Sequence, residues 1–311
     1  TEVPGTENAV QAVADADGLF WREDSGAVRG VVDSEQIELQ PALEEVRAGM
    51  GMITDDSTLY FADAGPPWMG PPEEPHDPPP PGRLYAVPKN GGPVELLLEL
   101  DDAILTPLAV TEQGVVIFSD ERLYVVGEAG TELLDHIPPI PASYDLQVAD
   151  GRAYWSNWES VRESTELHAV DLAGGEPEVV TEIDGSFTVG HGRVLWKPET
   201  LVEDPLVLVN ELMMLDLDTG CVTELPSRGE TIGTPVLDAQ HVYWKSYNGL
   251  SAGESECDIY PLLRVDLETG TFEELEMDGF DVTICTDFLA QDDDAIFTRT
   301  RLGDPLVAID K

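Results

Sequence analysis

Short runs of alternating apolar and polar residues fill this chain, and turn residues separate them. The pattern "GLFW" (Gly18 to Trp21) recurs as "TLYF" (Thr58 to Phe61), "VVIF" (Val115 to Phe118) and "RAYW" (Arg152 to Trp155). It returns as "RVLW" (Arg193 to Trp196), "HVYW" (His241 to Trp244) and "DAIF" (Asp294 to Phe297). Each is preceded by an acidic or glycine turn, and each predicts a strand ending on a large side chain. A second set follows: "RLYAVPKNGG" (Arg83 to Gly92), "ELHAVDLAGG" (Glu166 to Gly175), "ELMMLDLDTG" (Glu211 to Gly220) and "LLRVDLETG" (Leu262 to Gly270). Alternation around Gly-Gly or Thr-Gly turns is a hairpin signal. Helical periodicity is not evident over any useful length.

The aromatic anchors stand 40, 57, 37, 41, 48 and 53 residues apart, within reach of the roughly 40–50 residues of a four-stranded propeller blade. Seven repeats therefore predict an all-β chain, residues 1–311, folded as a single β-propeller of seven four-stranded blades. Strands A to D run outward in each blade, the aromatic ends B, and the Leu-x-x-Val-Asp type is C. The last segment, "PLVAIDK" (Pro305 to Lys311), is a C strand with no D strand after it. The N-terminal segment Thr1 to Pro4 is expected to complete that blade as its outer strand.

Aromatic-ended strands followed by "VDLxTG" or "VPKNGG" hairpins resemble bacterial secreted and periplasmic β-propellers of the TolB-like and YncE-like class. The resemblance covers nearly the whole chain. It implies the fold and an extracytoplasmic setting: periplasm, cell surface or secreted. Propellers host many unrelated activities, so it implies no particular chemistry.

The A–B turns are minimal, as in "ADADG", "TEQG", "ADG" and "GHG". The extra length sits between strands B and C. The Pro-rich insertion Ala64 to Gly82 is the longest, followed by Asn157 to Ser164, Pro198 to Asn210 and Tyr247 to Tyr260. Prolines remove donors and favour extended conformations, so the first insertion is expected to be a loop. Loops on a rigid scaffold commonly carry function. The B–C face is therefore the expected working face.

Composition narrows the partners. Lys and Arg total 16 against 62 Asp and Glu, a formal net charge of −46. A nucleic-acid partner needs a basic footprint, so none is expected. No apolar run of 18 residues occurs, so membrane insertion is not expected. The acids are spread along the chain and read as a solvated, halophilic-type surface or as that of an ordinary acidic secreted protein. Thr1 in place of Met and the polar "TEVPGTEN" suggest a segment behind a removed signal or lipid anchor.

Against this acidic background the cations are informative. The residue after each B-strand aromatic is Arg22, Ala62, Ser119, Ser156, Lys197, Lys245 and Thr298, the last followed by Arg299. Blades five, six, seven and one are consecutive around a ring. Lys197, Lys245, Arg299 and Arg22 are thus expected to form a basic crescent on the B–C face, or to be neutralised locally by acids such as Glu23, Asp24 and Glu199. Trp158, Tyr247 and Asn248 would line the same face. Asp145 and Asp287 fall on A strands, near the mouth of the channel.

Chemical motifs are otherwise scarce. No nucleophile elbow, P-loop or dinucleotide fingerprint appears. "DADG" (Asp15 to Gly18) and "DLDTG" (Asp216 to Gly220) partly resemble calcium loops but lack the closing Glu. No cofactor is expected, with calcium at these turns the open alternative. The five histidines show no zinc spacing. Cys257 and Cys285 share the B–C side of adjacent blades and are expected to form a disulfide, with Cys221 left free. Two function classes follow: non-enzymatic binding or scaffolding of a protein or polysaccharide partner at the B–C face, or a lyase or hydrolase acting on an acidic saccharide or small lactone.

Overall fold

The structure is a computed structural model. It describes residues 2–23, 25–32, 35–40, 48–63, 81–101, 103–141, 144–157, 165–203, 206–210, 212–226, 231–232, 235–247, 262–275, 289–291, 295–299 and 306–310. All regular structure among these residues is β. Seven antiparallel blades make the chain a seven-bladed β-propeller.

Blade one runs Ala9–Asp15, Gly18–Glu23, Val28–Val32 and Glu35–Gln40, and blade two Ala48–Thr54, Thr58–Asp63, Gly82–Pro88 and Glu95–Leu100. Blade three comprises Thr106–Thr111, Gly114–Ser119, Arg122–Gly127 and Gly130–Leu133. Blade four comprises Tyr144–Ala149, Arg152–Asn157, Thr165–Asp171 and Glu178–Ile183. Blade five is built from Phe187–Gly190, Arg193–Trp196, Leu212–Asp216 and Val222–Leu225. In blade six, Thr231–Ile232 and Val236–Leu237 both pair with His241–Tyr247, which is followed by Leu262–Asp266 and Phe272–Leu275. Blade seven has the order Glu2–Val3, Leu306–Asp310, Ala295–Arg299, Leu289–Gln291. The N-terminal strand thus completes the last sheet, which leaves no C-strand edge open for association.

Contacts divide the chain into two compact units. One is Thr1–Pro139 with Ala290–Phe297 and Asp310–Lys311; the other is Ile140–Leu289 with Thr298–Ile309. In the first, Phe20 and Val28 of blade one pack with Leu59, Phe61 and Val87 of blade two. Ala62 and Leu84 then pack with Val115, Ile117 and Val126 of blade three. In the second, Tyr154 and Leu167 meet Phe187, Val194 and Trp196, and Leu195 and Leu212 meet Val242, Trp244 and Leu263. Both faces of such B strands carry buried residues, as with Leu19, Phe20, Trp21 and Arg22. Burying a large aromatic there contributes up to about 4–6 kcal/mol against an extended chain.

Hairpin register shows why the aromatics recur. The A–B hairpins close on the pairs Asp15↔Gly18, Thr111↔Gly114, Ala149↔Arg152 and Gly190↔Arg193, each spanning two residues. Asp150-Gly151 and His191-Gly192 take positive φ at both turn positions, which matches strand twist. The fourth residue from each hairpin is Trp21, Phe61, Ile117, Trp155, Trp196 and Trp244, all buried. Blade three therefore departs from expectation by one residue. Gly114 opens its B strand, Ile117 takes the anchor position and Phe118 the next one.

A second departure concerns Pro198 to Asn210, expected as a loop. Glu199–Glu203 and Leu206–Asn210 form a separate two-stranded hairpin inserted between strands B and C of blade five. Its run of Leu and Val with β propensity on both sides of a two-residue connection explains the pairing.

Candidate functional site

Side chains alternate along a strand, so the third and fifth residues of each B strand share a side. Phe20 and Tyr154 are third residues and pack toward the following blade. Arg22 and Ser156 are fifth residues and face the same seams. Position five is thus polar in these two blades, whereas blades two and three place Ala62 and Phe118 there.

Arg22 illustrates what this means for the basic crescent. Expected at the B–C surface, it is instead fully buried. Nη1 donates to the Ala62 carbonyl of blade two, and the guanidinium carbon lies 5.7 Å from the Phe61 ring centroid. Burial pushes the guanidinium pKa down, while Asp63 and Tyr85 push it up. Asp63 shows the complementary balance: burial raises it, and Arg22 and Arg83 hold it down. The cation is committed to the seam between blades one and two.

Lys197 is half-buried at the equivalent place in blade five. The connection into that blade passes close behind it. Gly185 has φ +97°, and a Cβ there would come 2.7 Å from the Lys197 carbonyl oxygen. Lys245 lies opposite Leu262, Tyr247 opposite Thr231, and Arg299 ends a strand of blade seven. For these three only the strand positions are described. Trp158, Asn248, Asp287, Cys257 and Cys285 lie outside the described residues. Cys221 is exposed and free.

Asp145, expected as a channel-lining acid, turns toward the next blade. It sits directly across from Ser156, and its Oδ2 accepts from Phe187 N of blade five at 3.4 Å. Burial raises its pKa, against backbone hydrogen bonds from Phe187 and Leu146 that lower it. Two residues on, Gln147 donates from Nε2 to the Phe187 carbonyl at 2.6 Å and accepts from Val189 N at 3.1 Å. The two side chains replace a missing strand along the inner edge of blade five. Sequence reasoning missed Gln147 and Ser156. Their signal was position: each lies two residues from a recognised neighbour, on the same face.

Other described cations are also engaged. Lys89 is buried, with Nζ 2.6 Å from Asp15 Oδ2, 3.0 Å from Asp17 Oδ2 and 5.7 Å from the Phe20 centroid. Arg29 pairs with Glu23 at 3.1 Å and Arg83 with Glu99 at 2.6 Å. Arg152 pairs with Glu178, and Arg264 with Glu273. Arg193 donates to the Ala239 carbonyl at 3.3 Å.

The calcium-like turns are occupied by their own chain. Asp216 Oδ1 accepts from Thr219 N at 2.8 Å and Oγ1 at 2.7 Å, which lowers its pKa. Asp266 repeats this with Thr269 in blade six. Asp15 serves Lys89 and accepts from Thr54 Oγ1 at 2.7 Å. Among the described residues no group of three or more His, Cys, Asp or Glu is arranged to hold a metal ion.

No protein-family model and no curated protein matches the chain. Solved structures do. A prolyl endopeptidase aligns over 85% of this chain with TM-score 0.60 and 12% identity; the chain spans 41% of that protein's length. A computationally designed protein aligns over 100% of this chain and 98% of its own, with TM-score 0.55 and 10% identity. An oligogalacturonate lyase in complex with manganese aligns over 85% of this chain and 71% of its own, with TM-score 0.52 and 15% identity. At these identities the likeness is one of fold: the chain is similar to propeller proteins of unrelated activity.

Proposed function

We propose that this chain is a non-enzymatic binding or scaffold propeller of the TolB-like and YncE-like kind, working outside the cytoplasm. It presents its B–C loops to a polymer or partner protein. One observation carries the reading: the two ends of the blades are unequal. Two-residue turns close the A–B hairpins of blades one, three, four and five. The B–C connections of blades two, four, five and six run over residues 64–81, 158–164, 197–211 and 248–261. Length that no hairpin needs, concentrated at one end of a rigid scaffold, fits recognition rather than folding. In the same reading Lys197, Lys245, Arg299, Trp158, Tyr247 and Asn248 serve the B–C end, and a Cys257–Cys285 disulfide ties two of its loops. Arg22 contributes from beneath, by fixing the seam.

The test compares three proteins on an array of neutral and acidic polysaccharides and on intact bacterial envelopes. They are the wild type, a variant with residues 65–80 replaced by an Asn-Gly turn, and a control, Glu112→Ala/Gln113→Ala, in an A–B turn. Binding by wild type and control with loss in the loop variant is expected. Equal binding by all three, or by none, defeats the assignment.

A further inference from the structure

We propose that the seam between blades four and five holds one small monovalent cation, Na⁺ in a saline medium, ligated by Asp145 and Ser156. The inference is independent of the proposed partner. Four observations carry it.

Ser156 is fully buried, and among the described residues its Oγ has no hydrogen-bond partner. A buried hydroxyl without a partner costs about 1–3 kcal/mol, and a bound guest is one way to offset that cost. Its direction is fixed by the strand. Tyr154, two residues earlier, packs into the core shared with Phe187 and Trp196, so Ser156 faces the same seam.

Asp145 is its direct cross-strand partner. Directly opposed residues share a face, with Cβ atoms about 4.5–5.5 Å apart. The two side chains make no hydrogen bond with each other.

Among the described residues the carboxylate has donors but no salt-bridge partner. It accepts from Phe187 N and is influenced by the Leu146 amide. Burial is the largest influence on its pKa and raises it. A half-buried carboxylate in that position is stabilised by a proton or a cation.

A further unpartnered oxygen belongs to the connection into blade five. Asp184 stands three residues before Phe187, and its Oδ1 is buried without a hydrogen-bond partner among the described residues. Two carboxylates and a hydroxyl are hard oxygen donors, suited to a hard cation. The chain's net charge of −46 raises the local concentration of cations further.

The ion makes the stability of this seam specific to the cation rather than to ionic strength. The experiment is a melting series of the whole protein at pH 7 in equal concentrations of sodium, potassium and choline chloride. Choline screens equally but is too large to enter. The wild type is expected to melt about 2–4 °C higher in sodium than in choline, as for a site occupied well above its dissociation constant. Asp145→Asn and Ser156→Ala should each abolish that difference while keeping the general response to salt. Broadening of the ²³Na resonance by the wild type, relieved in Ser156→Ala, gives a second readout should Asp145→Asn fail to fold. Identical midpoints in sodium and choline without ²³Na broadening overturn the site and leave a water or a proton in the seam. A difference that persists in both variants overturns it as well.

Discussion

Arg22 of blade one donates its Nη1 hydrogen to the carbonyl of Ala62 in blade two, beneath the surface that its sequence position suggested it would decorate. Asp63 follows Ala62; burial lowers the guanidinium pKa and raises that of the carboxyl, and each charge partly offsets the shift of the other. Removing one partner strands the other inside the seam.

Arg22→Ala is therefore expected to destabilise the protein by about 3–5 kcal/mol, the range for breaking a buried pair. Arg22→Lys should recover little, since an ammonium cannot reproduce the planar fork over Phe61. The double variant Arg22→Met/Asp63→Asn should recover most of the loss, because no charge is then left unpaired. Urea denaturation followed by fluorescence measures all three. A loss below about 1 kcal/mol for Arg22→Ala, with unchanged m-value, would mean that the seam tolerates the carboxylate alone.

Lys89 offers a test in pH. Burial opposes its charge, but Asp15 and Asp17 outweigh burial and raise its pKa above the ordinary lysine value. The sign follows from linkage. A raised lysine pKa gives stability that is complete below the unfolded value of about 10.4 and lost as pH rises through the folded value. Lys89→Met should therefore be less stable than wild type at pH 8, and the gap should narrow at higher pH. A gap constant from pH 8 to pH 12 would assign the lysine's contribution to packing over Phe20 rather than to charge.

Backbone strain gives a third expectation. Blade three closes its B–C connection with Asp120 and Glu121 at φ 48° and 62°, between Ser119 and Arg122. A left-handed conformation costs a non-glycine residue roughly 1–2 kcal/mol, and glycine returns part of that gain as chain entropy. Glu121→Gly creates the Asp-Gly pair that such a turn favours. It should raise stability by about 0.5–1 kcal/mol, readable as a higher thermal midpoint. A lower midpoint would show that the Glu121 side chain has a role outside the turn.

The sequence made some features legible and hid others for physical reasons. Seven B strands and the closing N-terminal strand are visible because period-two alternation and turn residues are local signals. The frame of blade three is not, since Phe118 invites alignment on the aromatic when the hairpin sets Ile117 as the anchor. The fate of Arg22 is hidden for a related reason. Its position after Trp21 is plain, but which side it takes depends on how blade two packs against blade one. Asp145 reads as an acid on an inner strand. That it reaches across to Phe187 depends on the position of the next blade's edge. Glu199 to Asn210 shows a strand-like composition, yet its place between two strands of a regular repeat makes it read as a loop.

Salt supplies the last expectation. A net charge of −46 on 311 residues implies strong self-repulsion in the folded state. Screening shortens its range from roughly 30 Å at 0.01 M salt to about 3 Å at 1 M. Salt also weakens attractive pairs, so the two effects must be weighed. Arg83–Glu99 and Arg29–Glu38 are partly exposed, and such pairs are worth about 0–1 kcal/mol each. Lys89 and Arg22 are buried and escape most of the screening. With 62 acids against 16 bases, repulsive terms outnumber attractive ones, and relief should win. The thermal midpoint is expected to climb from 0.01 M to 1 M sodium chloride, and also, by a smaller amount, in choline chloride. A midpoint that stays flat or falls in both salts would show that the local pairs already balance the acidic surface.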